Sequence, residues 1–336
     1  MPTFLVTSRM SAPLAARVEA SVSGRRVAPR VSQRRRFVSL VRLGLVAALV
    51  GVIALVLNAR RRSAEQLEAT RASLLDALHA RFSSLTPSER GLGERVTALL
   101  SAQAGDYPGD YLAEPMRSSP GLLAALQGGA IYVRGPIAGF SRQSEVIRTA
   151  SESAKDAFLL CLLDPPEAHG EKPLRAKARA ASQGAAAMSA VERLFPLLSV
   201  TPMLRPEWRR ALIQAETQAE LERFERMFRK SPTEAAVRAA KSSRLLLVLD
   251  EPGAGSGPTE LDGERAHDVR VVLLNLGTGQ TELRLRRRVD PSWLSATTRA
   301  EYAWGVDGCS LALAVHAGLL GRTWTPDASL GPTTRL

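Results

Sequence analysis

Aromatic residues make up only 5% of this 336-residue chain, cysteine occurs twice and histidine four times. Each scarcity removes a class of chemistry. His79, His169, His267 and His316 stand far apart, with no HExxH pair and no Cys at metal-ligand spacing, so no metal site is expected. GxxxxGK[ST] is absent, which leaves nucleotide hydrolysis without a phosphate cradle. The loop Gly253-Ala254-Gly255-Ser256-Gly257-Pro258 precedes a strand pattern and no helix, so it reads as a connection. GxSxG is missing, and no Ser stands three residues before a Lys, which removes the common serine-hydrolase and Ser-Lys signatures. Nothing in the sequence calls for a cofactor.

Long apolar runs are also rare, with one exception that organises the chain. Phe37 to Leu57 is broken only by Arg42. As a helix it would be about 31 Å long, the thickness of a bilayer's hydrocarbon core. Arg42 lies close enough to one end to snorkel to the phosphate level. The run is too long for a signal-peptide core, its basic head is thirty-six residues long, and Leu57-Asn58-Ala59-Arg60 has a large Leu where a cleavage site needs a small residue. A single uncleaved transmembrane helix is the reading.

The net charge of +12 would ordinarily suggest nucleic acid, but its position argues otherwise. Residues 1–36 hold eight Arg against Glu19 alone, and with Arg42 and Arg60, Arg61 and Arg62 they account for eleven of the twelve net charges. The remainder is nearly neutral, so no nucleic-acid partner is expected. Arg34, Arg35 and Arg36 on one side and Arg60, Arg61 and Arg62 on the other flank the span and contact lipid headgroups. The basic head favours a cytoplasmic N-terminus and a domain outside, in the periplasm of a bacterium with the span in its inner membrane.

The sequence then divides into a disordered basic head (1–36), the span (37–57), a membrane-proximal helix (58–85), a globular domain (86–322) and a loose tail (323–336). Leu67, Leu74, Leu78, Phe82 and Leu85 share a face, but too few heptads follow for a coiled-coil stalk, so this helix packs on its own domain. Thr86-Pro87-Ser88-Glu89 reads as a capping box opening the helix of Leu92, Val96, Leu99 and Leu100, and Ser231-Pro232-Thr233-Glu234 reads as a second. Long helical patterns run from Leu174 to Leu198 and from Pro206 to Arg229, with shorter ones at 144–154 and 309–319.

Strand signals lie at Ala130–Arg134, at the apolar runs Phe158–Leu163 and Arg244–Asp250, and at Val269–Leu276 with Thr281–Arg288 across a Gly-containing turn. The expected fold is α/β, or mixed α+β, with a sheet of about five strands and several packed helices. FLLCLLDPP and RLLLVLDEP echo one another, which places Asp164 and Asp250 at the same edge of one sheet. With Glu251 and His267 near them they form the candidate acid/base set, although an Asp before Pro at a strand end is also ordinary turn chemistry. Asp106, Asp110 and Glu114 lack the alternating ligand spacing of a calcium loop.

Cys161 and Cys309 are an even pair beyond the span, which leaves open a disulfide, two buried thiols or a reactive thiol. Three function classes remain. One is a membrane-anchored binding or scaffold module with a protein partner. Another is an anchored hydrolase or transferase using Asp164, Asp250 and His267. The third is signalling across the membrane, which needs the basic head to contact a cytoplasmic protein. Oligomeric state is not encoded in any recognisable pattern, and the Gly44 to Gly51 spacing is too wide for a GxxxG dimer.

Overall fold

The computed structural model describes residues 30–251 and 266–326. The Gly253–Pro258 loop, most of the basic head and the end of the tail lie outside the described residues. The chain forms two compact units, Met1–Ala69 and Thr70–Leu336. Helix α1 (Arg30–Phe82) begins within the basic head and runs on through the apolar stretch. Its Arg42–Phe82 portion contains a window long and apolar enough to cross a membrane, with none of that window buried against protein. Leu43, Leu45, Leu49, Val50 and Leu55 are exposed.

In the second unit, the last turns of α1 carry buried Leu74 and Phe82, and Leu85 is buried just beyond. From residue 70 onward, this face of the helix therefore packs within the second unit. Thr86 then forms the expected capping box: its hydroxyl accepts from the Glu89 amide at 3.3 Å, and its amide donates to Glu89 Oε2 at 2.7 Å. The box opens only the single turn α2 (Pro87–Arg90). After Gly91 a separate helix, α3 (Leu92–Gln103), carries Leu92, Val96 and Leu100 into the core.

The elements that follow are β1 (Tyr111–Leu112), α4 (Ser119–Gln127), β2 (Ala130–Pro136), α5 (Gln143–Glu152), α6 (Ala157–Leu163), α7 (Glu171–Ser182) and β3 (Val191–Arg193). Next come α8 (Leu194–Leu204), α9 (Pro206–Gln214), α10 (Gln218–Lys230), α11 (Thr233–Ala240), β4 (Arg244–Asp250), β5 (His267–Asn275), β6 (Thr281–Val289) and α12 (Ala296–Leu319). The six strands make one sheet in the order β1-β6-β5-β4-β2-β3. β2 pairs in parallel with β3 and β4, whereas β4, β5, β6 and β1 are antiparallel. The fold is thus mixed α/β with one sheet, a net one strand richer than expected: β1 and β3, two and three residues long, are added and the expected strand at Phe158–Leu163 is lost.

Alternation along the strands builds a three-layer core. Leu245, Leu247 and Leu249 join Ile131 and Val133 against α3, α5, α8 and α11. Leu246 and Val248 join Tyr132, Val269 and Val271 against α4, α6, α7 and α12. β4 is buried on both faces, which is why it reads as an unbroken apolar run.

Four expectations are corrected. Phe158–Leu163 is no strand but the core of α6, so it is no sheet neighbour of β4. The Asp156 side chain caps it by accepting from the Leu159 amide at 3.2 Å, and Ala157–Leu162 are buried on every side. An all-apolar run carries no period to separate helix from strand. The pattern from Leu174 to Leu198 is interrupted by β3, which pairs with β2. The pattern from Pro206 to Arg229 breaks between α9 and α10, where Thr217 and Glu220 form a capping box, and Ile213 is left exposed. The second expected box does not form, since Pro232 precedes α11 without a side-chain cap.

Cys161 and Cys309 are joined by a disulfide, with Cα atoms 5.1 Å apart. The bridge staples α6 to α12 where they cross. At Gly308, beside it, an added Cβ would lie 2.9 Å from the Phe158 backbone nitrogen, so only glycine permits this approach. The bridge closes a loop of 148 residues, for which chain entropy sets a stabilisation of at most about 5 kcal/mol. The double variant Cys161→Ala/Cys309→Ala is expected to unfold at lower denaturant by about 2–5 kcal/mol, measured by urea titration. Gly308→Ala, with the bridge intact, is expected to cost about 1–3 kcal/mol in the same measurement.

Candidate functional site

The parallel pair β2 and β4 ends at a cluster of buried polar groups. Alternation puts Tyr132 and Arg134 on the face of the sheet covered by α6 and α12. β4 registers Val248 opposite Arg134, so Asp250, two residues on, reaches the same face. The antiparallel neighbour registers Val269 opposite Asp250, and His267 follows on that face.

Arg134 is 6% exposed and Asp250 is 5% exposed. They form a bidentate pair: Nη2 donates to Oδ1 at 2.8 Å and Nε to Oδ2 at 3.0 Å. Arg134 Nη1 also donates to Asp156 Oδ2 at 3.1 Å, and the Tyr132 hydroxyl donates to Asp156 Oδ1 at 2.8 Å. Asp156 therefore caps α6 and ties that helix to β2. The Arg134 amide donates to Ser153 Oγ at 2.9 Å, and His267 Nε2 lies 3.5 Å from Asp250 Oδ1.

Burial alone would push the Asp250 carboxyl up, but the Arg134 charge, with His267 close by, outweighs it and holds it below the ordinary carboxylate value. For Arg134, burial pulls downward while Asp250 and Asp156 raise it further above its usual range. Desolvation, then the Asp156 charge, keeps Tyr132 protonated. This part of the cluster is locked in one charge state.

Asp307 behaves differently. It lies in the apolar half of α12, is 2% exposed, and neither carboxylate oxygen has a hydrogen-bond partner among the described residues. Burial raises its pKa to about 7, against the pull of His267 and Arg134 and with a smaller push from Asp290.

Of the candidate acid/base residues, Asp250 and His267 are brought together. Asp164 is elsewhere: it caps the C-terminal end of α6, its side chain is 59% exposed, and it pairs with Lys177. The shared edge expected for Asp164 and Asp250 fails with the strand on which it depended. Glu251 takes the opposite face of the sheet, pairing with Arg270 and with Arg286 Nη2 at 2.5 Å. Asp110 accepts from Arg287 Nη1 at 2.7 Å and from the Tyr107 hydroxyl, holding its loop to β6. His316 bridges Ser119 Oγ and the Leu162 carbonyl, each at 2.9 Å, and burial lowers its pKa, so it stays neutral.

Arg134, Asp156 and Asp307 are sequence-distant members that pattern reading passes over. Two signals were there, an Arg inside the apolar strand AIYVR and a lone Asp inside VDGCSLALAV. Among the described residues, no group of three or more His, Cys, Asp or Glu could hold a metal ion.

Asp250→Asn leaves the Arg134 guanidinium buried without its main counterion and is expected to lower stability by about 3–5 kcal/mol at pH 7. Asp164→Asn is expected to change it by less than about 0.5 kcal/mol, both measured by denaturant titration. Because the folded pKa of Asp250 is depressed, its contribution is present above the unfolded value of 3.8 and is lost as pH falls through the lower folded value.

Compared with protein-family models, with curated proteins and with solved structures, the chain matches none.

Proposed function

We propose that this chain is a single-pass protein of a bacterial inner membrane, with a cytoplasmic N-terminus, whose globular domain works on the periplasmic side as a binding or scaffold module. The Cys161–Cys309 disulfide carries the placement, because such bridges form and persist in oxidising compartments. The eight Arg of residues 1–36 support the same orientation, since a short basic head is retained in the cytoplasm while a long domain crosses.

A binding role is supported by how the carboxylates are used. Asp250 is bound on both oxygens by Arg134, and Asp164 shares no partner with it among the described residues. The acid/base pair that a hydrolase or transferase would need is therefore not assembled from these two. A groove of about 390 Å³ lies between the last turns of α1 and the α8–α9 corner, with Leu75, Leu78 and Met203 on its floor and Asp76, His79 and Arg209 at its rim. An apolar floor inside a polar rim is the anatomy of a protein-recognition surface.

A C-terminal alkaline phosphatase fusion is expected to be active; an inactive fusion overturns the orientation. For the binding role, a photoreactive amino acid at Asp76 or Arg209 is expected to give a discrete protein adduct in intact membranes. The same group at Glu167, exposed on the loop after α6, serves as control. Equal labelling from all three positions, or none from any, counts against the groove.

A further inference from the structure

We propose that Asp307 is a buried proton-binding site through which pH controls the seating of α12 on the sheet. Asp307 sits two residues before Cys309, in the stretch of α12 that crosses α6. Both of its oxygens are sequestered from solvent and lack a hydrogen-bond donor among the described residues. A carboxylate in that position is far more costly than the neutral acid.

The groups facing it come from three elements: His267 from β5, Arg134 from β2, and Asp290 from the turn after β6. From α6 and α7 the contacts at Gly305 and Gly308 are made by Ala157, Phe158 and Ala178, none of them titratable. Arg175 of α7 reaches α12 at Thr298, more than two turns away. The guanidinium of Arg134 is already bound by Asp250 and Asp156. An ionised Asp307 competes for it and meets the negative charge of Asp290.

The sign follows from the raised value. The folded chain holds the proton up to about pH 7, whereas the unfolded chain releases it near 3.8. Between these limits the folded state binds more protons, so stability falls as pH rises and falls no further above the folded value. Because the disulfide keeps α12 fastened to α6, ionisation shifts the helix and does not release it.

The test compares the full-length chain in detergent with Asp307→Asn, by denaturant titration from pH 5 to pH 8. Relative to the variant, the wild-type folding constant is expected to fall roughly tenfold per pH unit up to about pH 7 and then level off. Parallel profiles overturn the proposal. In a second measurement, chain labelled with carbon-13 at the Asp carboxyls is titrated by NMR, with the Asp307 signal assigned from its loss in the variant. A midpoint near 7 is expected, and one below 5 overturns the proposal. Should the Asn side chain prevent folding, Asp307→Ser provides the reference and the assignment.

Discussion

The crossing of α12 over α6, closed by the Cys161–Cys309 bridge, is the constraint on which the rest of this domain depends. It brings two helices that are 148 residues apart at their cysteines to a Cα separation of 5.1 Å. The close approach needs the absence of a side chain at Gly308. Together the two helices cover one face of the sheet and exclude water from it, so the ends of β2, β4 and β5 are left in a low-dielectric environment. The polar residues placed there have to satisfy one another.

They do so unequally. Arg134 is shared between Asp250 and Asp156, and Asp156 also caps α6, so a single cation fastens two strands to the helix layer. Replacing such a buried pair with apolar groups is often neutral, but removing one partner is costly, which makes the network a device for holding geometry more than for adding stability. Asp307, in the same enclosure, has no donor among the described residues, and burial raises it to about pH 7. One end of the sheet therefore holds both the Arg134–Asp250 pair and a carboxyl poised to titrate near neutrality.

The surface electrostatics are of another kind. Arg286 and Arg270 converge on Glu251 and stack over Tyr107, at 5.4 Å for Arg270 and 5.8 Å for Arg286 from the ring centroid. These contacts sew the loop before β1 to the edge of the sheet. Most of the chain's excess positive charge lies elsewhere in the sequence, in the residues that flank the apolar stretch of α1.

The sequence by itself determined the long apolar helix, β4, the β5–β6 hairpin and the Thr86 capping box, because each is written in one contiguous pattern of apolar period, turn residues or cap spacing. It also singled out Asp250 and His267. It did not distinguish α6 from a strand, since FLLCLL is apolar at every position and only Asp156, as a cap, and the lack of β-branched residues pointed to a helix. Arg134, Asp156 and Asp307 became a site only when the sheet register and the helix crossing placed them together. Tertiary structure alone decided which Asp is locked by an arginine, which faces solvent beside Lys177, and which is buried with no donor among the described residues. The physical reason is that charge state depends on desolvation and on partners distant in the chain, and local sequence specifies neither.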